Sequence, residues 1–101
     1  MTTTTAVAFG LMAKDIDEAT RLFIAANMRA LKWERRFPSD SAMGKAIGRS
    51  RSVINRALKG ERTVGLDVLL AVRKELKVSI DWLVSEPRDN KWMDPGYWPK
   101  S

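Results

Sequence analysis

At 101 residues, 45% of them apolar and 30% charged, the chain supports one domain with a modest core plus tails. It contains neither cysteine nor histidine. Disulfides and thiolate metal sites are therefore excluded, and the usual general base and commonest metal ligand are missing. No metal or other cofactor is expected, and an enzyme is the least favoured class. The net charge of +6 is localised: ten basic and three acidic residues lie from Arg29 to Arg62, against eight and nine elsewhere. Such a basic third suits a polyanion-binding face.

The apolar run 6–13 follows only Met1 and four threonines. It has neither the basic leader of a secretory signal nor the roughly 20 apolar residues of a membrane span. Residues 1–14 are read as a flexible lead-in and the protein as cytoplasmic, with no membrane partner. A first helix is predicted from Asp15, which has capping-box spacing with Glu18, to about Arg36. Ile24, Met28 and Leu31 form its buried stripe, extended backwards by Leu22, Phe23 and Ile16. Pro38 should stop this helix by displacing Phe37, a core candidate, from helical geometry.

Ser39 is positioned to cap a short second helix, with Met43 and Ile47 pointing inward. Gly44 in its interior costs about 1 kcal/mol relative to alanine and makes sense where two backbones approach closely. Gly48 suits a left-handed turn, and Ser50 caps a third helix that ends at Gly60. Successive helix residues are about 100° apart. Arg51, Ser52, Asn55, Arg56 and Lys59 thus fall within roughly 140° of arc, opposite Val53, Ile54, Ala57 and Leu58. One face can bury. The other offers guanidinium, amide, hydroxyl and ammonium groups suited to base edges and phosphates.

After a polar link from Glu61 to Gly65, a fourth helix is predicted over Leu66–Leu76, with Leu66, Leu69, Leu70 and Leu76 buried. Ser79 caps a last short helix containing Ile80, Trp82, Leu83 and Val84, ended by Pro87. From Arg88 to Ser101, proline, charge and aromatics without periodicity argue against regular structure. Residues 87–101 are either a loose tail or an arm packed on the body or on a second subunit. Trp33 is placed at the end of the first helix as a lid on the domain.

This helix order, the Gly-joined pair and the closing Val78-Ser79-Ile80-Asp81-Trp82-Leu83 resemble the lambda-repressor-like helix-turn-helix family, which includes the Cro and Xre regulators. The resemblance covers about Ile24 to Val84. Gly44 falls at the family's small-residue position, usually alanine; Gly48 at its turn glycine; Ile54 at its core position. Gly60 with Arg62 resembles the loop that follows, and Leu66-Asp67-Val68-Leu69-Leu70 the run that opens the fourth helix. The implied fold is an all-α, five-helix domain over residues 15–86, followed by the non-regular aromatic tail.

The implied function is a sequence-specific transcriptional regulator, such as a phage or mobile-element repressor, bound to double-stranded DNA as a homodimer on a palindromic operator. Arg51, Ser52, Asn55 and Arg56 would contact bases. Ser39, Ser41, Lys45, Arg49, Ser50, Lys59 and Arg62 would contact phosphates, with Arg35 and Arg36 as weaker candidates. Trp82, Trp92 and Trp98 are dimerisation candidates, Trp82 equally suiting the core. At the start of the second helix, where the family often has a glutamine that contacts a phosphate and braces the recognition helix, the chain has Asp40, whose carboxylate would repel a phosphate; either Ser39 and Ser41 stand in, or Asp40 serves the helix N-terminus. Pro38 resembles a one-residue addition to the first loop. Two alternatives remain: an antitoxin that represses its own operon and binds a toxin, or a protein–protein adaptor or inhibitor that has given up DNA binding.

Overall fold

In the computed structural model, which describes residues 17–60 and 64–94, helix α1 spans Glu18–Glu34. Its cap is Asp17, whose carboxylate accepts from the Thr20 amide at 2.7 Å. The expected cap at Asp15 gives way to this one because Asp17 is the acid immediately before the first helical residue. Asp15, Ile16 and the lead-in 1–14 lie outside the described residues. The stripe of Ile24, Met28 and Leu31 is buried, as its spacing predicts.

The end of α1 differs from expectation. The helix closes at Glu34, four residues before Pro38, because Arg36 enters the left-handed region at φ 56°. The Phe37 amide then donates to Lys32 O and the Arg36 amide to Trp33 O, both at 3.1 Å. These paired bonds satisfy the last carbonyls of a helix and end it without proline. Phe37 turns back and packs against the core.

Ser39 caps α2 (Asp40–Ile47) by accepting from the Ala42 amide, and Ser50 caps α3 (Arg51–Lys59) by accepting from the Val53 amide. Between them Gly48 takes φ 73°, a value that favours glycine. A Cβ at Gly44 would lie 2.5 Å from the carbonyl oxygen of Arg49, so the turn folds directly over this position. The close approach inferred from a mid-helix glycine is therefore real. It is tighter than an alanine allows.

Helix α4 covers Leu66–Leu76 and α5 covers Ile80–Val84, capped by Ser79. In α4 the buried residues are Val68, Leu69, Val72 and Leu76, whereas Leu66 and Leu70 are 48% and 42% exposed. The expected stripe was half wrong. The run contains more apolar residues than one helical face can cover, and 68, 69, 72 and 76 share an arc that 66 and 70 lie outside.

No strand occurs among the described residues. Helix α1 packs on α3 and α5, α2 on α3 and α4, and α4 on α5. One core results, joining Ile24, Met28, Met43, Ile54, Leu69 and Leu83 with their neighbours, and Trp82 packs half-buried at its edge.

Two polar side chains sit inside. Asn27 donates to the carbonyls of Trp82, Leu83 and Ser85 at 3.0, 2.9 and 2.8 Å. These bonds satisfy the end of α5, which stops at Val84 ahead of Pro87. Arg29 donates to the carbonyls of Leu58 and Trp92. The segment beyond Pro87 is accordingly not irregular throughout: Asn90–Met93 form a 3-10 turn capped by Asp89. Trp92 is buried there against Ala26 and Ala30 of α1. This part of the expected tail is an arm packed on the body.

Candidate functional site

The outward face of α3 is built by its burial. Ile54, Ala57 and Leu58 are anchored in the core and Val53 packs at its edge, so Arg51, Ser52, Arg56 and Lys59 are left in solvent. Together with Asn55, which is half-buried, they line one shallow depression along the helix. The helix is held at both ends, by Ser50 at its start and by Gly60 (φ 69°) at its finish. Gly60 also lies where a Cβ would meet Ala25 of α1 at 3.2 Å. Arg56 Nε donates to Ser52 O at 3.3 Å, which lays the guanidinium along the helix.

The flanking candidates divide by what else they do. Ser39 and Ser50 spend their hydroxyl lone pairs on cap bonds, while each O–H proton remains available to an outside acceptor. Ser41 and Lys45 are exposed on α2, and Lys59 on the last turn of α3. Arg49 donates to Gly48 O at 2.9 Å and pairs with Asp67 at 3.5 Å, which ties the turn to the start of α4. Arg62 lies outside the described residues.

The basic third of the chain is not all surface. Arg29 is 4% exposed and donates to two backbone carbonyls. Burial pushes its pKa below the usual guanidinium value, opposed by the charge of Asp94. Arg35 donates to Leu76 O at 2.7 Å, closing the end of α4, and Lys32 pairs with Asp40 at 2.8 Å. These three cations hold the fold together. Charge counting missed the distinction because a guanidinium on a buried carbonyl and one in water look alike in a sequence.

Asp40 is the residue that the sequence placed least well. Its carboxylate does not stand free at the head of α2: Oδ1 accepts from Lys32 Nζ at 2.8 Å, and Oδ2 accepts from Asn55 Nδ2 at 3.0 Å. Burial would raise its pKa. The hydrogen bonds from Lys32 and Asn55, with the charges of Lys32 and Arg51, outweigh that and hold the carboxyl below its ordinary value.

Of the dimerisation candidates, Trp92 is occupied within the fold and Trp82 is half-buried against the core. Trp98 lies outside the described residues. Among the described residues the large apolar side chains left in solvent are Trp33, Leu66 and Leu70. Trp33, in the last turn of α1, stands 43% exposed. Among the described residues no helix is long and apolar enough to cross a membrane, and no three acidic side chains gather as a metal site. Comparison with protein-family models, curated proteins and solved structures finds no match to this chain.

Proposed function

We propose that this protein is a sequence-specific DNA-binding transcriptional regulator of the lambda-repressor-like helix-turn-helix kind, acting in the cytoplasm on the nucleoid. In this reading α2 and α3 are the helix pair and α3 enters the major groove. Arg51, Ser52, Asn55 and Arg56 read base edges, while Lys45, Arg49 and Lys59 with the cap hydroxyls of Ser39 and Ser50 face phosphates.

One observation carries the reading. A single helix, fixed in place by three buried side chains and two terminal caps, turns Arg51, Ser52, Arg56 and Lys59 to solvent on one side, with half-buried Asn55 among them. A guanidinium can bridge G O6/N7 and an asparagine amide A N6/N7, and both need a rigid support to be selective. One such helix spans too few base pairs for selective occupancy. A homodimer on a palindromic operator, with half-sites about 34 Å apart, supplies the rest.

The test is selection from a randomised duplex pool at several salt concentrations, with the Arg51→Ala, Asn55→Ala double mutant alongside. An enriched inverted repeat, lost in the mutant, is the expected result. Binding without enrichment reduces the protein to a non-specific DNA binder. No binding at all removes the proposal in favour of a protein-partner module. Exposed Trp33, Leu66 and Leu70 would be its first contact residues.

A further inference from the structure

The two oxygens of Asp40 face two different helices. Oδ1 takes the Lys32 ammonium of α1, and Oδ2 takes the Asn55 amide of α3. The Lys32 and Asp40 side chains are only 15% and 16% exposed, so the pair is sheltered from competing water.

A carboxylate can only accept hydrogen bonds. The side of the Asn55 amide that faces Asp40 must therefore be its NH2 group. Flipping the amide would set Oδ1 against a negatively charged oxygen. Asn55 makes no other hydrogen bond among the described residues, so Oδ1 and the second N–H remain for a ligand. They form an acceptor and a donor in fixed order. Adenine presents the matching pair in the major groove, N6–H as donor and N7 as acceptor. Guanine presents two acceptors, O6 and N7, and a locked Oδ1 meets one of them with repulsion. An amide free to rotate would discriminate less, because it could offer N–H groups to either purine.

We infer that Asp40, held by Lys32, is a positioning residue that sets the Asn55 amide for adenine and against guanine at one position of each half-site. The inference rests on the DNA-reading function proposed above. Asp40 then needs no phosphate contact, since its charge is already answered by Lys32.

The experiment uses the full chain and the operator enriched by the wild-type protein, with all four bases placed in turn at the position where Asn55→Ala loses preference. Wild type, Asp40→Asn, Lys32→Met, Asn55→Ala and the Asp40→Asn, Asn55→Ala double mutant are titrated, each with a salt series. Asp40→Asn and Lys32→Met should each cut the adenine-over-guanine ratio at that position about tenfold, within what one bidentate contact supplies. Ratios at other positions should hold. In the Asn55→Ala background, Asp40→Asn should change nothing further at that position.

A thermal melt confirms that each variant is folded. Should Asp40→Asn fail to fold, Lys32→Met and the amide proton shifts of Asn55 in the wild-type protein take its place. Those shifts should mark one N–H as strongly bonded before DNA is added. An unchanged adenine ratio in folded Asp40→Asn and Lys32→Met, with Asn55→Ala still abolishing it, overturns the inference and leaves the DNA reading standing. A pool bound by the wild type without enrichment overturns both.

Discussion

The Arg29 guanidinium donates to the carbonyl of Trp92 at 3.1 Å, and its other arm reaches the carbonyl of Leu58. One side chain in the middle of α1 thus fastens both the last described turn of the chain and the end of the helix whose outer face carries the candidate site. Replacing Arg29 by Met leaves two carbonyls without their charged donor. Urea unfolding followed by circular dichroism should show a loss of about 2–4 kcal/mol. Arg29→Lys should recover only part of it, because one ammonium cannot span both carbonyls. A change below about 0.5 kcal/mol, the usual range for a surface substitution, would mean that the two bonds are not formed in solution.

Gly44 separates propensity from packing. Alanine is favoured over glycine in a helix by about 1 kcal/mol, yet a Cβ here meets the Arg49 carbonyl at 2.5 Å. Gly44→Ala should lower stability by about 1–3 kcal/mol. Under the proposed function it should also weaken DNA binding more than stability alone explains, because the turn that sets the angle between α2 and α3 must move. Gly48→Ala meets nothing within 4 Å and should cost only the left-handed backbone, about 1 kcal/mol. Thermal melts of the two variants make the comparison.

Adjacent leucines in α4 should behave oppositely. Leu69 is fully buried and Leu70 is 42% exposed. Leu69→Ala should cost about 2–5 kcal/mol and Leu70→Ala about 1 kcal/mol or less in denaturant unfolding. Equal costs would mean that α4 is rotated from the position described.

Acid should unlock Asp40. Its folded pKa lies below the ordinary value of 3.8, so the unfolded chain takes up this proton first as pH falls. The stability it contributes is present in full above the unfolded value. It is lost as pH drops below about 3.8 and through the folded pKa. Asp17 and Asp89 are shifted the same way, each mainly by a backbone hydrogen bond, from Thr20 and Lys91, and add to the acid slope. Subtracting the unfolding curve of Asp40→Asn isolates the Asp40 share. The difference between the two proteins should be constant at neutral pH and shrink below about 3.8.

Under the proposed DNA-reading function, Lys59 and Arg51 should fail in different ways on DNA. Lys59→Ala should weaken binding to all duplexes alike and reduce the salt slope by about 0.9, one phosphate contact. Arg51→Ala should relax one base position by about 1–3 kcal/mol. Titrations against the selected operator and a scrambled duplex distinguish the two.

By itself the sequence determined the parts of this protein that depend on neighbours a few positions away. Ser39, Ser50 and Ser79 cap the helices they precede, Gly48 takes the left-handed turn expected of it, and α3 ends at Gly60 as its sequence suggests. The Ile24–Met28–Leu31 stripe and the two faces of α3 follow from a 3.6-residue repeat. These interactions close within one or two helical turns, so residue order is enough to specify them.

Tertiary structure decided the rest, because each remaining choice was made by a partner distant in the chain. Arg29 is a buried clamp, not a surface cation, on account of a carbonyl 63 residues on. Asp40 became a brace for Asn55, 15 residues away, once α1 brought Lys32 beside it. Between a loose tail and a packed arm, Trp92 took the second because Ala26 and Ala30 leave room for its ring on α1. In α4, the packing of α2 and α5 chose Val68 and Val72 over Leu66 and Leu70. Charge and hydropathy are properties of a residue. Burial and pairing are properties of the places where helices meet, and only the folded chain has those.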